Sequence, residues 1–145
     1  MKQKVVRAWV RALRSGKYKQ GRGALRNKTA AFKTGQKFCC LGVLCDLYAK
    51  EHPDARWEPV GNVLGCIFTP DGSAGNDSFG VLPTPVQKWA GLKTTSGELE
   101  SKTAWKVFDK VDEDIAVSRE LTAANDEGAT FRQIAAFIEK HWRRL

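Results

Sequence analysis

Apolar positions recur through the first fifteen residues at the spacing of one helical face. Val6, Trp9, Val10 and Leu13 stand at i, i+3, i+4 and i+7, which predicts an amphipathic helix over residues 2–15, stopped by Gly16. Lys4, Arg7, Arg11 and Arg14 make a basic stripe beside the apolar one. The next periodic block is Phe38-Cys39-Cys40-Leu41-Gly42-Val43-Leu44-Cys45-Asp46-Leu47. Cys40, Val43, Leu44 and Leu47 share a face, and Leu41, Cys45 and Tyr48 widen it to nearly the whole circumference. A helix apolar almost all round belongs at the centre of a core, and His52-Pro53 ends it.

Short strands are expected at 25–27 and 36–39, around a loop from 28 to 35, and again at 57–60 and 63–68. Residues 69–78 are dense in turn formers and predict a surface loop. Thr84 as cap, Pro85 at the first helical position and Gly91 as stop predict a short helix with Val86 and Trp89 facing inward. A strand is expected at 104–108, an exposed acidic stretch at 109–114, a short helix at 118–125 and a turn at 125–128. Thr130-x-x-Gln133 is a capping box opening a last helix with Phe131, Ile134, Ala135, Ile138 and Trp142 on one face. The fold expected is α+β. Residues 1–145 form one compact domain, with a small antiparallel sheet packed on the central cysteine-rich helix and on N- and C-terminal helices.

The composition agrees with that expectation. A chain of 145 residues with 42% apolar content suits a single domain that needs no staples, and five tryptophans add bulk to its core. No apolar run approaches the ~20 residues that span a bilayer. The N-terminus carries arginines where a secretory leader has an apolar stretch, so a soluble protein that stays where it is made is expected, with no membrane partner. Cys39, Cys40, Cys45 and Cys66 look like buried free thiols of a reducing compartment rather than a disulfide framework.

The charge is unevenly placed. Residues 1–37 hold 12 of the 24 Lys/Arg and none of the 16 Asp/Glu, so the first quarter carries +12 and the remainder −4. Such asymmetry points to an anionic partner. Within this stretch, two glycines flank an arginine just after a tyrosine. Glycine lets backbone approach a ligand and can form an anion nest, arginine forks onto phosphate oxygens, and tyrosine can stack on a base. Arg14, Tyr18, Lys19, Gln20, Gly21, Arg22, Gly23 and Arg26 are therefore the candidate ligand-binding residues.

The cysteines invite two other readings. Zinc wants paired ligands at spacings such as Cys-x2-4-Cys; Cys39 and Cys40 are adjacent and so point apart on a helix, Cys45 lies across the helix from Cys39, and no Cys-x2-Cys pair occurs. Cys39 falls where a strand meets a helix N-terminus, where the dipole lowers a thiol pKa. A nucleophile there needs a base, but His52 lies ~20 Å along the helix at ~1.5 Å per residue, Asp46 is also too distant, and His141 reaches Cys39 only by tertiary docking. The acids at 109–114 and at Asp126-Glu127 read as solvation. No catalytic residue, metal ligand or cofactor is assigned.

Ala12-Leu13-Arg14-Ser15-Gly16 with Tyr18, Gln20-Gly21 and Gly23-x-Leu25-Arg26 resembles a pattern in a family of small bacteriophage-encoded proteins of unassigned function. The block from Phe38 to Leu47 is its most distinctive part. Leu82-Pro83 with Val86, Trp89 and Gly91-Leu92 is similar to its middle. Leu121, Asn125-Asp126, Gly128, Phe131 and Ile134-Ala135 are similar to its end. The resemblance touches most of the chain and departs from it between Arg26 and Phe38 and in the middle region. It implies a phage product acting in the host bacterial cytoplasm as an accessory factor against host defence. The reading that joins this context to the basic segment is a non-enzymatic, homo-oligomeric protein that holds a nucleotide-type anionic small molecule. Nucleic-acid binding, inhibition of a host protein and cysteine hydrolysis are the alternatives.

Overall fold

The computed structural model describes residues 1–27, 35–59, 65–72, 78–99 and 120–145. Their elements are, in order, α1 (Gln3–Arg14), β1 (Lys19–Gln20), β2 (Arg26–Asn27), β3 (Lys37–Phe38), α2 (Cys40–Glu51), β4 (Arg56–Pro59), β5 (Cys66–Thr69), α3 (Thr84–Ala90), α4 (Leu121–Asp126) and α5 (Phe131–His141). The strands form one sheet in the order β1-β3-β2-β5-β4. The expected strand at 104–108 and acidic stretch at 109–114 lie outside the described residues, as do most of the loop at 28–35 and the middle of the turn-rich segment.

The cysteine helix sits where its all-round apolarity demands. Leu41, Val43, Leu44, Cys40 and Cys45 have no solvent-exposed surface. α1 buries Val5, Val6, Trp9, Val10 and Leu13 against the same core and leaves its arginines outside. The indole of Trp9 is fully buried, and its N–H donates to the Cys40 carbonyl at 2.9 Å, so the ring fills volume without leaving a donor unpaired. The capping box at Thr130 and Gln133 is present with both reciprocal bonds, and α5 buries Phe131, Ile134, Ala135 and Ile138 as expected. Trp142 and Trp89, expected to face inward, are half-buried.

Helix and sheet meet at glycine. A Cβ on Gly42 would fall on the carbonyl oxygen of Leu25, just before β2. That carbonyl also accepts the backbone N–H of Cys39 at 3.1 Å. The first turn of α2 is thus pressed against the chain entering β2, and only a residue without a side chain fits between them.

Three details differ from the sequence expectation. β1 was not expected at all: it is two polar residues with no strand-favouring side chain, and main-chain pairing alone makes it. It runs parallel to β3, with Lys19 opposite Lys37 and Gln20 opposite Phe38, so the sheet is mixed, while the β2–β3, β2–β5 and β4–β5 pairs are antiparallel. α3 starts one residue early, with extended Pro83 in the capping place and Thr84 already helical; Gly91 ends it at φ 69°, a left-handed turn that suits glycine.

Gly42→Ala is expected to cost about 3 kcal/mol, because the added methyl must displace main chain rather than a side chain. Urea denaturation of the variant beside Val43→Ala, a simple cavity, checks this: a Gly42→Ala midpoint unchanged from that of the parent protein would show that the contact is not tight.

Candidate functional site

The glycine–arginine segment is fastened to the far end of the chain. Asn125 is fully buried. Its Oδ1 accepts from the Cys40 N–H at 3.2 Å and from Gln20 Nε2 at 3.0 Å; its Nδ2 donates to the Gly21 carbonyl at 2.8 Å and to Asp126 Oδ1 at 2.9 Å. Gln20 completes the set. Its Nε2 also donates to the Ala129 carbonyl at 2.6 Å, and its Oε1 accepts the Phe131 N–H at 3.0 Å at the start of α5. The Gly23 N–H donates to Asp126 Oδ1 at 3.1 Å, and Gly23 turns the chain at φ 74°. Gln20, Gly21 and Gly23 of the candidate set therefore direct these groups inward, to α4 and α5.

Two further candidates have partners within the fold. Arg14 forks onto both carboxylate oxygens of Glu139 on α5, at 2.9 and 2.5 Å, on the exposed surface. The Tyr18 hydroxyl donates to Asp46 Oδ2 at 2.6 Å and accepts from Lys50 Nζ at 2.8 Å. Burial, and then the bond to Asp46, hold this phenol above its ordinary pKa. Lys19 lies in β1 beside Lys37 of β3. Arg22 is exposed, with its guanidinium beside Gly128 and its carbonyl accepting from Asn27 Nδ2 at 2.9 Å.

Arg26 stands apart. Its register opposite Phe38 and Cys66 puts its side chain on the sheet face that also carries Phe38, Phe68 and Trp57. The guanidinium carbon lies 5.5 Å from the Phe38 ring centre and 5.2 Å from that of Trp57. Those rings meet edge-to-face at 5.9 Å; Tyr18 packs on Phe38 at 5.3 Å and Phe68 on Trp57 at 4.7 Å. In this aromatic nest, Arg26 Nε and Trp57 Nε1 are buried without a hydrogen-bond partner. Burial holds the guanidinium below its ordinary basicity, and Cys66 and Asp46 only partly offset this. Arg22 and Arg26 do not converge: Arg26 faces the nest, while Arg22 lies by the turn after α4.

The sequence reading included Arg26 but missed Trp57 and Phe38 as its walls. Phe38 and Trp57 fall in strands the sequence predicts, but the sequence does not show the strand order that sets β3 beside Arg26 and β4 just beyond β5 on its other side.

The cysteine chemistry changes sign. Cys39 does occupy the N-cap of α2, and its Sγ accepts the Gly42 N–H at 3.3 Å. Burial nevertheless outweighs that bond and pushes the thiol up to about 11, the reverse of the lowering expected from the dipole alone. Burial likewise holds Cys40 and Cys45 well above the ordinary thiol range. All four cysteines are free and buried. Among the described residues, no three His, Cys, Asp or Glu side chains are grouped to hold a metal ion, and no helix is long and apolar enough to cross a membrane.

The domain of unknown function DUF8296 matches residues 1–142, and the chain belongs to that family. No curated protein and no solved structure matched it.

Three outcomes follow from this arrangement. Asn125→Ala strands the Cys40 N–H, the Gly21 carbonyl and part of the Gln20 amide; a loss of about 3 kcal/mol or more is expected in chemical denaturation. The thiols should resist iodoacetamide at pH 8 in the folded protein and react once it is unfolded. Because folding raises the Cys39 pKa from 9.0 to about 11, the stability tied to its neutral form is complete below pH 9 and is lost as the pH rises through 11, by about 3 kcal/mol. Fast alkylation of native protein at pH 8 would contradict this.

Proposed function

We propose that this DUF8296 protein is a non-enzymatic binder of a small phosphorylated ligand, a nucleotide or cyclic nucleotide, with Arg26 as the group that takes the anion. The observation that supports it is the pair of buried, unpartnered N–H donors at Arg26 Nε and Trp57 Nε1 in one aromatic nest. Leaving a buried donor unmade costs about 1–3 kcal/mol, more for a charged one. Both unmatched atoms are donors, so the complement is an acceptor, and beside a guanidinium it is an anionic oxygen. Trp57 and Tyr18, both half-buried, offer ring surface against which a planar base packs, with Phe38 buried behind them. The acid-free run before Asp46 keeps the electrostatic approach favourable.

The candidate set then divides its labour. Arg26 and Tyr18 border the ligand. Gln20, Gly21 and Gly23 hold the loop in place, Lys19 and Arg22 add positive charge at a greater distance, and Arg14 is already paired with Glu139. In the phage setting that the sequence resemblance implies, such a protein sequesters a nucleotide defence signal in the host bacterial cytoplasm, as a homo-oligomer with its sites near the interfaces.

One observation favours a second reading, binding along a nucleic-acid backbone. Arg7 and Arg11 are exposed on α1 and have no hydrogen bond or ion pair among the described residues, with Lys4 and Arg14 in line. Such binding is steeply salt-dependent and weakly sequence-selective.

Protein freed of bound ligand by unfolding and refolding is expected to gain thermal stability from at least one member of a nucleotide panel, about 2.7 kcal/mol at a hundredfold excess over Kd. Arg26→Met should abolish that gain while leaving the unliganded protein at least as stable, since an unpaired, half-buried cation is replaced by an apolar chain of similar length. A panel with no stabilising member sinks the proposal. Binding only to polynucleotide, lost between about 50 and 200 mM salt, transfers the case to the second reading.

A further inference from the structure

Away from the Arg26 nest, a concavity lies between α1, α2 and α3, with a volume of about 320 Å³, at the lower end of the ~300–1,000 Å³ typical of small-molecule sites. Val5 and Ala8 of α1, Leu47 of α2 and Trp89 of α3 make an apolar floor. Lys2, Lys4 and Lys50 stand on its rim against a single acid, Glu51. Glu51 is already engaged: Trp89 Nε1 donates to its Oε2 at 3.3 Å, and Lys4 Nζ lies 3.9 Å from its Oε1. Trp89 is itself braced from behind, edge-on to Tyr48 at 5.5 Å and to His52 at 6.2 Å, and those two rings stack at 3.7 Å. The floor is therefore rigid, and the rim carries a net positive charge.

We propose that this groove binds a small amphiphilic anion, an apolar body on the Val5–Leu47–Trp89 floor with one carboxylate-type head at Lys2 and Lys4. The chemistry differs from that of the Arg26 nest. Here the cations are lysines, compact point charges on flexible stems, with no fork to read a phosphate bidentately. Their aliphatic stems extend the apolar wall while their ammonium groups stay in water. A head carrying a single charge and a body without polar atoms matches both parts. Lys50 lies nearest the nest, since its ammonium also meets Asp46 and Tyr18, so the test leaves it unchanged.

Octanoate is the probe and octanol its uncharged counterpart, each titrated calorimetrically and by the fluorescence of Trp89, with Trp89→Phe identifying its signal among the five tryptophans. Octanoate should bind and octanol should bind at least tenfold more weakly. The double variant Lys2→Gln/Lys4→Gln should weaken octanoate about five- to tenfold, as expected for two solvent-exposed charges. Ala8→Leu, which fills the groove from a helix position and leaves the Arg26 nest untouched, should abolish octanoate binding and keep any nucleotide response. The proposal is overturned if octanoate does not bind, if octanol binds equally well, or if octanoate binds all variants alike.

Discussion

One buried amide holds the two ends of this fold together. An asparagine side chain has two donors and an acceptor oxygen with two lone pairs, and Asn125 uses all four without reaching solvent. It supplies an acceptor to Cys40, the first residue of α2, whose N–H has no partner within the helix. It also fixes the carbonyl of Gly21 and the amide of Gln20, and Gln20 in turn caps the opening of α5. Three elements distant in sequence thereby share one polar joint inside an otherwise apolar core. Such a joint is costly if any partner is missing and specific when all are present.

That joint clarifies what the rest of the basic segment does. With Gln20, Gly21 and Gly23 bonded to α4 and the start of α5, the segment that joins β1 to β2 is fixed at both ends of its turn, and Arg26 enters the aromatic face from a strand of the sheet. Natural sequences are mostly consistent across levels of structure and break the rules locally where function demands it. The Asn125 joint obeys the rule that buried polar groups are paired. The Arg26 nest, a few residues away along the chain, departs from it at two donors, and the proposed ligand site rests on that contrast within one segment.

Much of the fold was legible because periodicity and capping chemistry are local. The i, i+3, i+4, i+7 stripe of Val6, Trp9, Val10 and Leu13 marked α1, the all-round apolar block marked α2 as central, and Thr130 with Gln133 marked the start of α5. β1 was illegible, because Lys19 and Gln20 carry no strand preference and pair only through main chain supplied by β3. Its parallel direction was equally hidden. At the candidate site, charge distribution and residue type pointed to the segment that carries Arg26. They could not separate side chains turned inward, such as Gln20, from one left unpartnered, because that depends on Asn125, over a hundred residues away. The thiol of Cys39 shows the same limit: its place at a helix start was visible, but the burial that overrides the dipole comes from tertiary packing.

The reach of the Asn125 joint also bears on how the chain assembles over time. Its bonds span 105 residues to Gln20 and 85 to Cys40, and the Arg14–Glu139 pair spans 125. Contacts of such separation must offset the entropy of closing long loops before they stabilise anything, and they form late. On the ribosome, α1, α2 and the strands emerge well before α4 and α5, so for that interval the first turn of α2 lacks its acceptor and Gly21 its donor. In that interval α1 also lacks α5, the helix it packs against most, so the core as well as its polar latch closes only when the last two helices have been made.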